Sequence, residues 1–164
     1  MPELPEVEVV RSGLAPAVTG ARVAAVDVLD QRALTRHAAA SGDFEALVTG
    51  ARIEAAVRRG KFLWLPIGDD RAIVGHLGMS GQLLLRTPDH PGDDRHARVR
   101  LHLDHPTQGE LRVDFVDQRT FGSLAVDRLV PTADGEVAGF SAGVTGAWAR
   151  SIPAQVAHLS LIHI

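Results

Sequence analysis

The sequence predicts a mainly β domain, an antiparallel sandwich or barrel led by an amino-terminal helix. Three observations carry that expectation. Leu4, Val7, Val10 and Leu14 recur at helical spacing, with Glu3, Glu6 and Glu8 around the first turn, where carboxylates favour the helix dipole. From residue 21 onward the apolar residues fall instead into short strand-like runs. Gly- and Pro-rich turns separate those runs, the pattern of antiparallel all-β folds.

In chain order, a helix is expected over residues 4–16, closed by Pro16 and then Gly20. Strands are expected at 21–29, 51–58, 62–67, 71–77, 82–86, 97–103, 111–116 and 122–126, with a short helix near 43–48. The pair 97–103 and 111–116 reads as a half-buried hairpin. Val99, Leu101 and Leu103 alternate with Arg98, Arg100 and His102, and Leu111, Val113 and Phe115 alternate with Arg112 and Asp114. One face is apolar and the other largely basic, diluted by Asp104, Glu110 and Asp114. His102 and His105 are expected to straddle the hairpin turn as solvated side chains. Residues 86–97 and 131–147 are rich in Pro, Gly and Asp and read as mobile loops. The expected organisation is one domain over 1–130, followed by a loop and a short tail over 131–164. The tail ends in AHLSLIHI, which has little to pack against and is expected to be disordered.

Composition narrows the function classes. A hydrophobic content of 45% and a charged content of 23% in 164 residues describe one globular domain. No run approaches the roughly 18 apolar residues of a membrane span. The acidic start lacks the positive charge of a secretory signal, so a cytoplasmic location is expected. The chain has no cysteine, which removes disulfides, thiol chemistry and Cys-based zinc sites. Its 8 histidines show no metal-site spacing, so no metal is expected. The net charge of −3 requires any nucleic-acid binder of this composition to gather its cations on one face. Of 17 basic side chains only Lys61 is lysine, the one cation that readily gives up its proton.

Four short stretches could carry chemistry. MPELPE suits a helix start, and it also offers, once Met1 is removed, the secondary amine of Pro2 beside the carboxylate of Glu3. An α-amino group has a pKa near 8 against about 10.4 for lysine, so it is neutral far more often at pH 7. Such an amine can attack an electrophilic carbon and give an iminium, an electron sink, with a carboxylate moving protons. RRGK places Lys61 after Arg58 and Arg59 at a turn suited to phosphates or simply to solubility. GHLGMSGQ sets Met79 among three glycines. DQRTFG sets Arg119 and Phe121 before a glycine. Apolar side chains near an arginine can fill the gap left by an extruded base.

MPELPEVE, RRGK, HLGMSG and DxRxFG, in this order, resemble the amino-terminal domain of the formamidopyrimidine-DNA glycosylase family over residues 1 to about 130. Leu4 favours this branch over the endonuclease VIII branch, which acts on oxidised pyrimidines. The resemblance implies a two-layer β-sandwich with a helix at each end. It also implies a bifunctional glycosylase and lyase that removes 8-oxoguanine and formamidopyrimidines from double-stranded DNA and cuts abasic sites. Pro2 would be the nucleophile, Glu3 the acid for sugar-ring opening, Lys61 the proton-transfer and phosphate residue, and Glu6 a further acid near the site. His76, His96 and Arg119 match DNA-contacting positions, and Met79, Arg119 and Phe121 match a void-filling trio. The family continues with a helix–two-turn–helix domain and a four-cysteine zinc finger, neither expected within these residues, so a truncated, monomeric bacterial chain is expected. Two other readings are an inactive DNA-contacting fragment and an unrelated enzyme with a proline base. The latter leaves Lys61, Met79, Arg119 and Phe121 unexplained.

Overall fold

The computed structural model describes residues 4–59, 62–78, 80–91, 94–119, 122–131 and 151–156. Helix α1 (Leu4–Val18) leads into β1 (Arg22–Val28), two short 3-10 turns and α2 (Phe44–Val48). Then follow β2 (Val57–Arg59), β3 (Phe62–Gly68), β4 (Arg71–His76), β5 (Gly81–Arg86), β6 (Ala97–His105), β7 (Gly109–Asp117), β8 (Ser123–Pro131) and β9 (Ser151–Pro153). The strands form two antiparallel sheets, ordered β1-β6-β7-β5 and β2-β3-β4-β8-β9, so the described residues make the two-layer sandwich.

The core lies between the layers. Alternation along β6 buries Ala97, Val99, Leu101 and Leu103, and β7 adds Val113 and Phe115. The facing sheet contributes Leu63, Leu65, Ile73, Leu124 and Val126, while Leu14 and Val18 bring α1 onto the same cluster. The outer face of the second sheet is apolar too: Val57, Trp64, Ala72 and Val74 pack with Ile152 and Val156. Two-sided burial explains why FLWLPI reads as an unbroken apolar run rather than an alternating one.

The structure departs from the sequence expectations where tertiary partners intervene. Helix α1 continues two residues past Pro16. Val18 is fully buried and Gln108 Nε2 donates to the Pro16 carbonyl at 2.9 Å, which holds the last turn despite the missing proline N–H. Of the strand expected over 51–58, only Val57–Arg59 forms β2. Residues 51–54 cross between layers instead: Ile53 N donates to Ala21 O and Glu54 N to Pro66 O, each at 2.8 Å.

The outward face of the β6–β7 hairpin is not a free basic surface. Arg112 forms a two-pronged pair with Asp114, at 2.9 and 3.0 Å, and both residues are buried. Arg98 Nη1 reaches Asp30 at 3.2 Å, and His102 Nε2 lies 2.7 Å from Asp27. Asp27 and Asp30 come from and follow β1, a register that alternation within the hairpin could not reveal. His105 is buried rather than solvated, and it sits with His102 on β6 rather than across the turn. Its Nδ1 accepts from the Thr107 and Gln108 amides at 3.1 Å, so Nε2 carries the proton and donates to Thr19 O at 3.0 Å.

Hydrogen bonds from Arg32 to the Asp30 carboxylate, aided by the charge of Arg98, lower that carboxyl from 3.8 to about 2. A depressed folded pKa means the stabilisation is present above the unfolded value and is lost as pH falls through the folded one. Titration of Asp30 by carbon-detected NMR should therefore give a midpoint near 2, and Arg32→Ala should move it upward. A wild-type midpoint at an ordinary carboxylate value would refute the pairing.

Candidate functional site

Antiparallel pairing brings the candidate stretches to one end of the sandwich. Arg59 at the end of β2 pairs with Phe62 at the start of β3, and Phe62 pairs with His76 at the end of β4. His76 in turn pairs with Ser123 at the start of β8. In the other layer Gly81, the start of β5, pairs with Asp117, the end of β7, and Ala97, the start of β6, lies opposite Val116. The β2–β3 and β4–β5 connections therefore open at this end, the β5–β6 crossover leaves β5 where Arg86 pairs with Arg112 and arrives here only at His96, and the β7–β8 connection opens here too. They are the connections that contain Lys61, Met79, His96 and Arg119 with Phe121, respectively.

Helix α1 runs toward the same end. Its carboxyl end is fixed at the opposite rim, where His105 at the end of β6 holds Thr19 O and Gly20 N donates to Ile53 O at 2.7 Å. Midway, Arg11 Nη1 reaches Ala56 O at 3.5 Å, just before β2 begins its run to the loop end. From Arg11 back to Leu4 the helix extends about 10 Å further, at about 1.5 Å per residue. Glu6 belongs to this first part of α1. Pro2, Glu3, Lys61, Met79 and Phe121 lie outside the described residues.

The described site residues have distinct surroundings. The His76 ring is half-buried and lies 5.0 Å from the Phe62 ring, tilted by 56°. His96 is held by its own loop: its amide donates to Asp94 Oδ1 at 2.8 Å, and its carbonyl accepts from the Asp117 amide at 2.9 Å. Arg58 and Arg59 are half-buried, and desolvation lowers the Arg59 guanidinium pKa from its ordinary value. Partial burial strengthens its field at the mouth of the loops. Arg119 is exposed, with its amide donating to Asp117 Oδ1 at 3.2 Å. Thus Arg58, Arg59 and Arg119 stand at the loop end, where Asp94 and Asp117 are engaged by main-chain amides.

Sequence reasoning missed Asp117 and Ser80, whose side chains bond across the gap between two of these loops at 2.6 Å. Their signal was present as polar residues flanking GHLGM and QRTFG, but neither is a usual catalytic type in that setting.

Two structural comparisons set the class. A crystal structure of Lactococcus lactis formamidopyrimidine-DNA glycosylase bound to DNA containing an abasic site aligns with a TM-score of 0.67 at 28% identity, covering 77% of this chain and 45% of that one. A complex of the Lactococcus lactis protein with DNA containing FAPY-dG aligns at 0.65 and 29% identity, covering 76% and 43%. The fold is thus that of the β-sandwich domain of a DNA glycosylase.

Sequence comparison specifies the family. The profile of the formamidopyrimidine-DNA glycosylase N-terminal domain matches residues 1–124, and the chain belongs to this family. The formamidopyrimidine-DNA glycosylase of Leifsonia xyli subsp. xyli is 54% identical over 162 residues, covering 98% of this chain and 52% of the relative. That of a Nocardioides species is 59% identical over 127 residues, covering 77% and 42%. The chain spans about half the length of the curated relatives it matches. The zinc finger implied by the resemblance rests on four cysteines. These 164 residues hold no cysteine, and among the described residues no group of three or more His, Asp or Glu could hold a metal ion. The residues present do not fit that zinc, and no step below passes through it.

Proposed function

We propose that this chain is the catalytic half of a bifunctional base-excision enzyme, a DNA glycosylase and abasic-site lyase acting on oxidised purines through the amine of Pro2. The observation that supports this is the convergence of the α1 amino-terminal end, three loops and the arriving end of the β5–β6 crossover on one end of the sandwich. The Pro2 nitrogen attacks C1′ of the damaged nucleotide as the C1′–N bond breaks, and the electron pair leaves on the base, which takes up the proton that the Pro2 nitrogen sheds. Glu3 protonates the sugar ring oxygen as the ring opens, leaving an iminium between nitrogen and C1′. The iminium acidifies C2′. Lys61 takes that proton, and the 3′ phosphate departs, cutting the strand. Arg58 and Arg59 steer the phosphates. His76, His96 and Arg119 contact the backbone and the opposite strand, and Glu6 adds a carboxylate near the reacting sugar.

The partner is duplex DNA carrying formamidopyrimidine, 8-oxoguanine or an abasic site. The protein works as a monomer in a bacterial cytoplasm, drawn to the nucleoid as needed. Borohydride reduces an iminium to a stable amine, so the chain incubated with abasic-site duplex and borohydride should yield a covalent adduct seen by mass. A folded chain that binds this DNA but gives no adduct would mark it as a DNA-contacting fragment without lyase activity.

A further inference from the structure

The two loops that flank Met79 and Phe121 meet at Asp117, a residue used by no step above. Asp117 closes β7, and its side chain is completely buried. Oδ1 accepts from Ser80 Oγ at 2.6 Å and from the Arg119 amide at 3.2 Å, while Oδ2 accepts from the Gly122 amide at 2.7 Å. The Arg119 amide is also 3.3 Å from Ser80 Oγ. The Asp117 main chain extends the junction: its amide donates to His96 O and its carbonyl accepts from Arg98 Nε, both at 2.9 Å. One residue thus touches the β4–β5, β5–β6 and β7–β8 loops.

The chemistry specifies aspartate. A buried carboxylate is costly unless its lone pairs are met by donors. Here the side chain meets two main-chain amides and a hydroxyl, which suit a group that only accepts. Asparagine has the same shape but must turn its NH2 toward either the Gly122 amide or the Arg119 amide. In either orientation one backbone N–H faces another donor.

We propose that Asp117 is a positioning residue that ties Ser80, ahead of β5, to Arg119 and Gly122, ahead of β8, so that Arg119 and the anchor points on either side of the β4–β5 and β7–β8 loops are set before DNA binds. This rests on the proposed function above. Filling the space of an extruded base from two loops is less costly when the points that anchor those loops are fixed to each other before binding. The bond from Ser80 to Asp117 spans 37 residues of sequence, so it couples segments that the chain itself leaves independent.

The test uses Ser80→Ala and Asp117→Asn. In the free protein, amide hydrogen exchange at Arg119 should quicken on the order of tenfold in Ser80→Ala, the effect of one lost hydrogen bond, while Val99 and Val113 keep wild-type protection. Asp117→Asn should quicken both Arg119 and Gly122. On DNA, adduct trapping should fall several-fold with abasic-site duplex yet stay near wild type with abasic single strands, where no stack needs filling. Unchanged exchange at residues 118–122 in Ser80→Ala would overturn the coupling. So would equal loss of trapping on duplex and single strands. If the wild-type chain traps neither substrate, the functional reading fails while the exchange measurement still decides the coupling.

Discussion

A chain with one extra residue ahead of Pro2 is expected to lose the borohydride-trapped adduct almost completely. The added residue turns the secondary amine of Pro2 into a tertiary amide, which has no lone pair available to attack C1′. The added residue carries an α-amine of its own, but one residue (about 3.5 Å) displaced from the Pro2 nitrogen and so out of line with C1′, and the only side-chain amine in the sequence is Lys61. A lysine with pKa about 10.4 is neutral at pH 7 roughly hundreds of times less often than an α-amine with pKa near 8. Residual adduct should therefore fall about a hundredfold rather than by a small factor. Helix α1 is held by Leu14, Val18 and the Thr19–His105 bond, all far from its tip, so circular dichroism and melting should be unchanged. Adduct formation at the wild-type level would remove Pro2 from the mechanism. Lys61→Ala should behave differently, keeping the trapped adduct while slowing strand cleavage, because it acts after the iminium has formed.

Gly122→Ala is expected to destabilise the fold by about 3 kcal/mol, at the upper end of ordinary overpacking. A β-carbon there would sit 2.8 Å from His76 O, 2.9 Å from Leu77 O and 2.9 Å from Phe115 Cζ. Two of these atoms are backbone of the neighbouring strand end, and the third belongs to a ring that is 1% exposed, so none can step aside cheaply. Relief would require parting the β7–β8 loop from β4, which breaks the Gly122 amide bond to Asp117. Since about 1 kcal/mol corresponds to about 2–4 °C in a domain of this size, the melting temperature should drop by about 6–12 °C. Gly81→Ala should act in the same direction, because its β-carbon would strike the Leu77 carbonyl that already accepts the Gly81 amide. A melting temperature within 1–2 °C of wild type, given about 2–4 °C per kcal/mol, would show that the two loops can separate without cost.

Much of the architecture was legible because it repeats locally. Alternation in ARVRLHL and LRVDFV located the central hairpin, and pairing then extended both strands to nine residues each. The short helix expected near 43–48 forms as α2, with the Asp43 carboxylate accepting the Ala46 amide at its start. What stayed hidden were pairings between distant segments. Arg98, Arg100 and Arg112 looked like an open cationic face, yet Asp30 and Asp114 neutralise much of it. His105 looked solvated, although it ties the hairpin to the end of α1. Residues 51–56 had strand-like composition, but their hydrogen bonds go to two different sheets.

By itself the sequence determined the succession of a helix and short strands, and the four motifs that identify the family. Those properties depend on side-chain periodicity and residue identity over a few positions. Only the tertiary structure decided which ends of the strands lie together, and therefore that loops separated by dozens of residues form one surface. It also decided that Asp117 joins two of them. A buried carboxylate is defined by the donors around it, and those donors, Ser80 and the amides of Arg119 and Gly122, become neighbours only once β5 and β7 have paired.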